Sequence, residues 1–534
     1  MSEILLILSV ILLCCSFVNT LAGKTGTPAL LLFMALGMVF GSDGIFKIPF
    51  DNYELMQQIS TISLVFIIFY GGFSTKWKTA KPVVKQAAVL STAGVLLTAL
   101  LTCVFCHYVL KISFAESFVI GAVISSTDAA SVFAILRSKK LNLKYSTAPL
   151  LELESGSNDP FSYMLTIIGI AVLTGKAVNF IPILFIKQFV IGILSGIIVA
   201  YAGILILNKT KFISGNIYSI FITAIMIFSF ALPDVTGGNG LLSVYITGII
   251  LGNSNIKNIN SLVGFFDGIT TFAQVTIFFL LGLTSFPHKI PEIILPAATI
   301  ALFLTFIARP AAVFGLLLPF KAPFNQCLLV SWAGLRGAAS IVFAVLVAAN
   351  VPSVSKYYMF HIVFLISILS VAFQGTLLPF IAKITDMIDN NSDVRKTFND
   401  FQEEAAFSLI KIFITNSHEW KGKAVKEIAL PQEILILTLN RNGKEIIARG
   451  NTLIQEGDYV ILSMPAFKFN DDDVNIKEVE ITSNHEWCNK VLSELKIEEN
   501  QLVAMIIRKG STIIPKGYTK IEENDILVII QEKN

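Results

Sequence analysis

The run Glu152-Leu153-Glu154-Ser155-Gly156-Ser157-Asn158-Asp159-Pro160 interrupts a segment that is otherwise apolar from Ala148 to Val172. A charged side chain at the centre of a bilayer costs roughly 2.5–3.5 kcal/mol on insertion scales, so three carboxylates in one apolar span call for a function. On a helix, Ser155 stands over Asp159, and Glu154 stands over Asn158 about 100° further round, so two adjacent faces carry different polar pairs. Pro160 has no backbone N–H, which leaves the carbonyl of Gly156 without its intrahelical partner. That carbonyl, the Ser155 hydroxyl and the Asp159 carboxylate make a hard oxygen site suited to a dehydrated alkali cation. The plainer alternative, a polar network that ties helices together, needs fewer acids than this.

Composition sets the environment. Of 534 residues 54% are hydrophobic and only 14% are charged, a balance that excludes a soluble domain of this size and indicates a polytopic membrane protein. A net charge of +3 supplies no basic field for nucleic acid. Cys14, Cys15, Cys103, Cys106, Cys327 and Cys488 lack the spacing of a disulfide framework. Cys103-Val104-Phe105-Cys106-His107 matches the haem-attachment pattern, but it ends a long apolar helix with no second haem-ligand segment, so the cysteines read as packing groups. No cofactor is expected. Met1 to Leu21 lacks the basic start and small-residue cleavage site of a secretory signal and reads as an uncleaved first helix.

Apolar runs long enough for a ~30 Å hydrocarbon core recur from Ile4 to about Lys383, about thirteen in all. If the N-terminus is outside, the cytoplasmic loops hold thirteen Lys and Arg residues, among them Lys76, Lys78, Arg137, Lys140, Lys144, Lys211 and Lys257. The outer loops then hold five: Lys47, Lys111, Lys176, Lys289 and Lys356. Basic residues accumulate on the cytoplasmic side, so the reading is N-terminus out and tail in.

Past Ile381 the composition turns polar. The expected organisation is a membrane domain over 1–383, a linker over 384–404, and two modules over 405–467 and 468–534. The modules are a tandem repeat: His418-Glu419-Trp420 recurs as His485-Glu486-Trp487, and the same shift takes Arg441 to Arg508 and Asp458 to Asp525. Each copy reads as a small α/β unit with strands near 411–415, 434–439 and 459–462 and a short helix near 423–428. Asp471-Asp472-Asp473 reads as a solvated linker, and His418 and His485 as repeat scaffolding.

Two further polar breaks accompany the first. Ser125-Ser126-Thr127-Asp128 falls in the fifth span and Gly334-Leu335-Arg336-Gly337 in the twelfth, seven spans later. Interrupted helices at corresponding positions of two halves point to an inverted-repeat transporter with its site at their crossing. Asp128 and Asp159 both fall near the midplane. Arg336 needs a carboxylate, for which Glu154 is the expected partner in a structural pair. Arg309 is a second intramembrane cation, expected to pair with Glu152 or with broken-helix carbonyls. Asp267, near the cytoplasmic end of its span, is read as facing water.

At Thr127-Asp128, Glu154-Ser155 with Asn158-Asp159, and Gly334-Leu335-Arg336-Gly337-Ala338, the chain resembles the monovalent cation:proton antiporter family, the sodium/proton exchangers of the NhaP and NHE kind. The tail resembles two TrkA-C (RCK C-terminal) modules, and the combination resembles potassium/proton antiporters of the cell-volume-regulation type. The resemblance implies a mainly helical membrane protein of about thirteen transmembrane helices in inverted repeats, with two broken, crossing helices, in the cell membrane. It implies that Asp159 alternately carries a proton or the cation, potassium before sodium. Ser155 and Thr127 would help to coordinate the ion, Asn158 would mark electroneutral exchange, and Asp128 would cap the broken helix. It further implies a homodimer whose tail answers a nucleotide such as a cyclic dinucleotide, with Arg441 and Arg508 as candidate contacts. One departure stands out: where many members carry an acid in the third span, this chain has Tyr70 in Phe69-Tyr70-Gly71-Gly72.

A tail-gated cation channel is the competing class. No filter segment such as T-V-G-Y-G occurs, and a titratable intramembrane carboxylate suits proton coupling better than free conduction.

Overall fold

The computed structural model describes residues 2–25, 28–50, 52–139, 141–175, 181–209, 217–254, 256, 259–351, 356–389, 407–416, 418–430, 434–441, 444–465, 474–481, 485–495, 501–508, 511–513 and 515–532. Residues 390–404 of the expected linker, Asp471 to Asp473, and the loop cations Lys140, Lys176, Lys211 and Lys257 lie outside the described residues. The chain divides into two compact units, Met1–Glu403 and Glu404–Asn534.

The first unit is helical. It opens with α1 (Ser2–Thr25), α2 (Ala29–Phe40) and α3 (Tyr53–Ser74). A composite rod follows, made of α4 (Trp77–Ala80), α5 (Val84–Val89) and α6 (Val95–Tyr108), with a π turn at Leu90–Gly94. The next rod is broken into α7 (Phe114–Ile124) and α8 (Ala129–Ser138). Five rods come next: α9 (Thr147–Leu173), α10 (Ile181–Lys209), α11 (Ile217–Thr236), α12 (Gly240–Gly252) and α13 (Ile259–Leu283). A π turn at Leu304–Ala308 joins α14 (Ile290–Phe303) to α15 (Arg309–Leu317). A second broken rod holds α16 (Phe324–Trp332) and α17 (Ala338–Asn350), and α18 (Lys356–Leu369) meets α19 (Thr376–Ile384) at a third π turn. Counting each interrupted rod once, there are thirteen among the described residues. Among the described residues seven helices are long and apolar enough to cross a membrane, and α2, α7, α12 and α17 are shorter apolar segments.

Local chemistry sets several of these boundaries. Asn52 caps α3 by accepting from Leu55 N at 2.9 Å. Ser113 caps α7 by accepting from Glu116 N, and its hydroxyl donates to the Glu116 carboxylate. Asn239 caps α12 through Leu242 N while its amide donates to the carbonyl of Pro160 at 2.8 Å. That bond fastens α12 to the middle of α9, which runs unbroken through Pro160. With no apolar driving force between helices in lipid, small residues let backbones approach closely. A Cβ at Gly37 of α2 would lie 2.9 Å from Cα of Gly282 in α13, so this crossing requires glycine. Phe69 and Phe73 of α3 pack on Phe266 of α13, with ring centroids 4.9 and 5.8 Å away. Outward-facing Ile183, Ile186, Ile198, Ile220 and Ile227 on α10 and α11 are exposed, the surface a lipid phase covers.

The segment that leaves α19 for the tail is tied to the loop between α8 and α9. Leu143 pairs with Ile388, Lys144 N donates to Met387 O, and Asp389 N donates to Asn142 O, both at 2.9 Å. Lys144 Nζ closes on Asp386 at 2.9 Å. The amide of Gln326, in α16, donates to Tyr145 O and Thr147 Oγ1 at the same loop.

The second unit contains two four-stranded antiparallel sheets. The first holds β1 (Phe407–Phe413), β2 (Leu435–Arg441), β3 (Lys444–Ile447) and β4 (Tyr459–Pro465) in the order β1-β4-β2-β3. The second holds β5 (Val474–Glu480), β6 (Gln501–Arg508), β7 (Ser511–Ile513) and β8 (Ile526–Glu532) in the equivalent order β5-β8-β6-β7. Even the irregularities repeat: the register shifts between Ile436 and Thr438 in one and between Val503 and Met505 in the other. The short helix expected near 423–428 is a single 3-10 turn, Val425–Glu427.

Candidate ion-binding site

The two helix breaks are fastened to each other. Asp128 N donates to Leu335 O at 2.8 Å, and Arg336 Nη1 donates to Ser126 O at 2.7 Å. Ser126 follows the C-terminus of α7, where unpaired carbonyls carry partial negative charge, so the Arg336 guanidinium is placed where a cation is stabilised. Arg336 N is held in turn by Ser370 Oγ at 3.1 Å, in the third π turn. Asp128 caps α8: its Oδ1 accepts from Ala130 N at 3.0 Å and its Oδ2 from the Ser131 hydroxyl at 2.6 Å. A Cβ on Gly337 would run into the Asp128 carboxylate, so glycine here reflects close approach across the break.

Against this crossing lies the middle of α9. Ser126 Oγ donates to Asp159 Oδ1. Thr127 and Ser155 hydroxyls meet at 3.0 Å, and the Asn158 amide donates to Thr127 Oγ1 at 2.5 Å. Asn158 is fully buried, and its Oδ1 has no protein hydrogen-bond partner among the described residues. Asp159, Ser155, Asn158 and Thr127 are thus brought into one cluster, with Asp128 at its edge. Ser126 was not among the residues expected at the site. The hydroxyl run Ser125-Ser126-Thr127 was legible, but which hydroxyl reaches α9 depends on the backbone path through the break.

Glu154 meets the other of the two intramembrane arginines. Glu154 is not paired with Arg336: Arg309 Nη2 lies 2.6 Å from Glu154 Oε1, a charge contact without hydrogen-bond alignment between two wholly buried groups. Arg336 is close enough to feel both charges, but among the described residues its one bonded guanidinium nitrogen serves the Ser126 carbonyl. The physical reason is delivery. Arg309 follows directly on the π turn at Leu304–Ala308, and its stem crosses the second break where Gly334 leaves room, a Cβ there lying 2.9 Å from Arg309 Nε. Arg309 thus meets Glu154, and two residues before Glu154 on α9 stands Glu152. It lines a cavity of about 290 Å³ together with Tyr70, Ser126, Thr127, Asp128, Ser155, Asp159 and Asp267. Asp267 therefore faces this cavity.

The arginines expected to meet a regulatory anion are also engaged internally. Arg441 grips both oxygens of Asp458 at 2.8 Å and donates to Leu453 O. Arg508 does the same with Asp525 and Lys520 O, and adds Glu522. A buried carboxylate in a tight turn demands a bidentate partner, and the turn arginine supplies it. His418 and His485 each accept from the backbone N of Trp420 or Trp487 at 3.2 Å, a contact that repeats with the fold. His107 Nδ1 is occupied by Ile112 O at 2.9 Å, beside buried Cys103 and Cys106.

Residues 8–384 match the family of transmembrane sodium/hydrogen exchangers, and residues 409–466 and 476–534 each match the TrkA-C domain. The chain is 31% identical over 448 residues to the K(+)/H(+) antiporter NhaP2 of Shewanella oneidensis, covering 82% of this chain and 77% of that protein. It is 31% identical over 464 residues to the K(+)/H(+) antiporter NhaP of Alkalimonas amylolytica, covering 86% and 80%. Its fold is similar to the sodium proton antiporter MjNhaP1 of Methanocaldococcus jannaschii, with a TM-score of 0.63 and 24% identity, over 72% of this chain and 99% of that one. The chain therefore belongs to the sodium/hydrogen exchanger family and carries two TrkA-C domains: it is a multi-pass membrane cation/proton antiporter, a transporter and not an enzyme.

Proposed function

We propose that this protein exchanges potassium for protons across the cell membrane through Asp159, under the control of its TrkA-C tail. The observation that carries the reading is that Asp159 of α9 accepts from the Ser126 hydroxyl at the crossing of two broken helices, with the mutually bonded hydroxyls of Thr127 and Ser155 lining the same cavity. A proton and a dehydrated cation neutralise the same carboxylate charge, so they compete for it. A movement that exposes Asp159 to either side only when it is occupied couples the two fluxes without separate gates. Asn158 in place of a second acid favours exchange of one cation for one proton. Potassium is preferred over sodium because the two relatives named above at 31% identity are potassium/proton antiporters.

The N-terminus lies outside in this reading, the tail is cytoplasmic and the protein is a homodimer. The fifth and twelfth rods correspond as members of inverted repeats, about thirteen transmembrane helices in all. The cavity residues Tyr70, Ala134, Glu152 and Asp267 then fall on the cytoplasmic side of Asp159, which makes this an inward-open state. The tail acts through the ladder between Asp386–Asp389 and the loop before α9, since that loop directly precedes the ion-binding helix. A nucleotide regulator, with Arg441 and Arg508 committed to Asp458 and Asp525, would be held by other residues. The test is proton movement in inside-out vesicles on adding potassium, sodium or lithium separately. A response to potassium at lower concentration than to sodium supports the reading, and no response to any of the three overturns it.

A further inference from the structure

We propose that Asp267 and Thr270 of α13, facing Glu152 of α9, form a second monovalent-cation subsite in the cavity, filled on the way to Asp159. Four carboxylates line the cavity from three elements, Asp128, Glu152, Asp159 and Asp267, and among the described lining residues there is no Lys, Arg or His. A concave wall of one sign in low-dielectric surroundings concentrates counter-ions. Asp267, Thr270, Thr271 and Gln274 all line it, and their spacing of three, four and seven places them on one face of the helix. Apart from Asn260, Ser261 and Thr276, the rest of α13 is apolar, with Phe266, Ile277 and Phe278 buried in the core. A polar stripe on a helix of this kind is a costly feature unless an ion passes along it.

Thr270 supplies an independent observation. Its neighbour Thr276 donates its hydroxyl to Phe272 O at 2.8 Å, the usual helical back-bond, and Thr284 does the same to Leu280 O. Thr270 Oγ1 is buried, at 6% residue exposure, and has no hydrogen-bond partner among the described residues. A buried hydroxyl left in that state is unfavourable until a ligand meets it. Asp267 lies one turn away on the same face, so carboxylate and hydroxyl present two hard oxygens to one small volume. One carboxylate and one hydroxyl are far fewer than the roughly six to eight oxygens a calcium ion takes, which suits a singly charged guest. Glu152 stands seven residues before Asp159 on α9, about 10 Å along the axis, so the acids are strung out along the path and do not form one site.

The inference rests on the antiport reading of Asp159, and the experiment separates the two. In proteoliposomes, Asp267→Asn and Thr270→Val in the full chain are expected to raise the half-saturating potassium concentration about 3- to 10-fold, the maximal rate falling by less. Asp267→Glu should restore most of the affinity. Unchanged half-saturation in Asp267→Asn overturns the subsite while leaving antiport intact. Thermal unfolding of the solubilised chain tests the subsite without transport. In Asp159→Asn, potassium is expected still to raise the melting temperature, and adding Asp267→Asn should remove that rise. If Asp159→Asn alone abolishes all stabilisation by potassium, the subsite is refuted, whether or not the wild type exchanges ions.

Discussion

The backbone N–H of Asp128 donates to the carbonyl of Leu335 at 2.8 Å, so the break in one rod is satisfied by the break in another seven rods later. Unwound backbone inside a membrane is tolerated only where its polar groups find partners in protein or line a cavity. Each break here supplies the other, and Arg336 adds its bond to Ser126 O. The crossing is therefore one unit, and Asp159 sits against it.

Replacing Asp159 with Asn keeps the size and a hydrogen-bond acceptor for Ser126 but removes the charge. Cation-driven proton movement in vesicles should fall to background, while the thermal unfolding midpoint stays near that of the wild type. Measurable exchange in this variant would remove Asp159 from the centre of the mechanism.

Glu154 should be coupled to Arg309 far more strongly than to Arg336. Breaking a buried ion pair by removing one partner costs about 3–5 kcal/mol, because the other charge is left uncompensated. Glu154→Gln and Arg309→Met should each destabilise on that scale, with a double-mutant cycle giving a large interaction energy. The corresponding cycle with Arg336→Met should give the smaller value, and the opposite ranking would restore the pairing expected from sequence.

Gly337→Ala places a Cβ in the Asp128 carboxylate, whose position is set by the α8 cap. The atoms nearest a Cβ in Gly334→Ala belong to the Arg309 side chain, which has more freedom to shift. Exchange should drop at least 10-fold in the first variant and less in the second, measured as the potassium-dependent proton signal at equal expression. Equal losses in both would show that the break responds to any side chain.

Asp389→Pro removes the donor to Asn142 O and opens the ladder beside α9. Its potassium dependence should then resemble that of a chain ending at Asn390. If the variant behaves as wild type while truncation changes activity, the tail acts by another route.

In the tail, hydrogen bonds from Arg441 hold Asp458 below its ordinary carboxylate value of 3.8. A group with a lowered folded pKa stabilises the fold above its ordinary value and loses that contribution as pH falls through the folded one. Hydrogen-exchange protection of the first module should accordingly be constant near neutrality and weaken only below about pH 4. Arg441→Ala leaves Asp458 buried without its bidentate partner and should cost roughly 2–3 kcal/mol of module stability at neutral pH. An unchanged protection pattern would show the brace to be dispensable.

Much of the architecture was legible in one dimension because its causes are local. Apolar run lengths marked the helical rods, and a constant shift between His418-Glu419-Trp420 and His485-Glu486-Trp487 marked a duplication that the two sheets repeat down to the bulge. The polar interruptions in the fifth and twelfth spans were readable for the same reason: a break in an apolar helix is visible wherever it occurs. Side-chain partnership was not. Arg309 and Arg336 are both buried cations near one carboxylate, and sequence spacing alone cannot tell which stem reaches it. A π turn and the gap at Gly334 bring Arg309 to Glu154, while the half-helix carbonyls draw Arg336 to Ser126. Asp267 and Ser126 were missed for the same reason, since the cavity they line exists only after α3, α9 and α13 have packed around the breaks. The sequence by itself determined that charge is buried in a membrane and roughly at what depth. Tertiary packing decided which groups share it, because electrostatic pairing depends on distances across helices that share no periodicity.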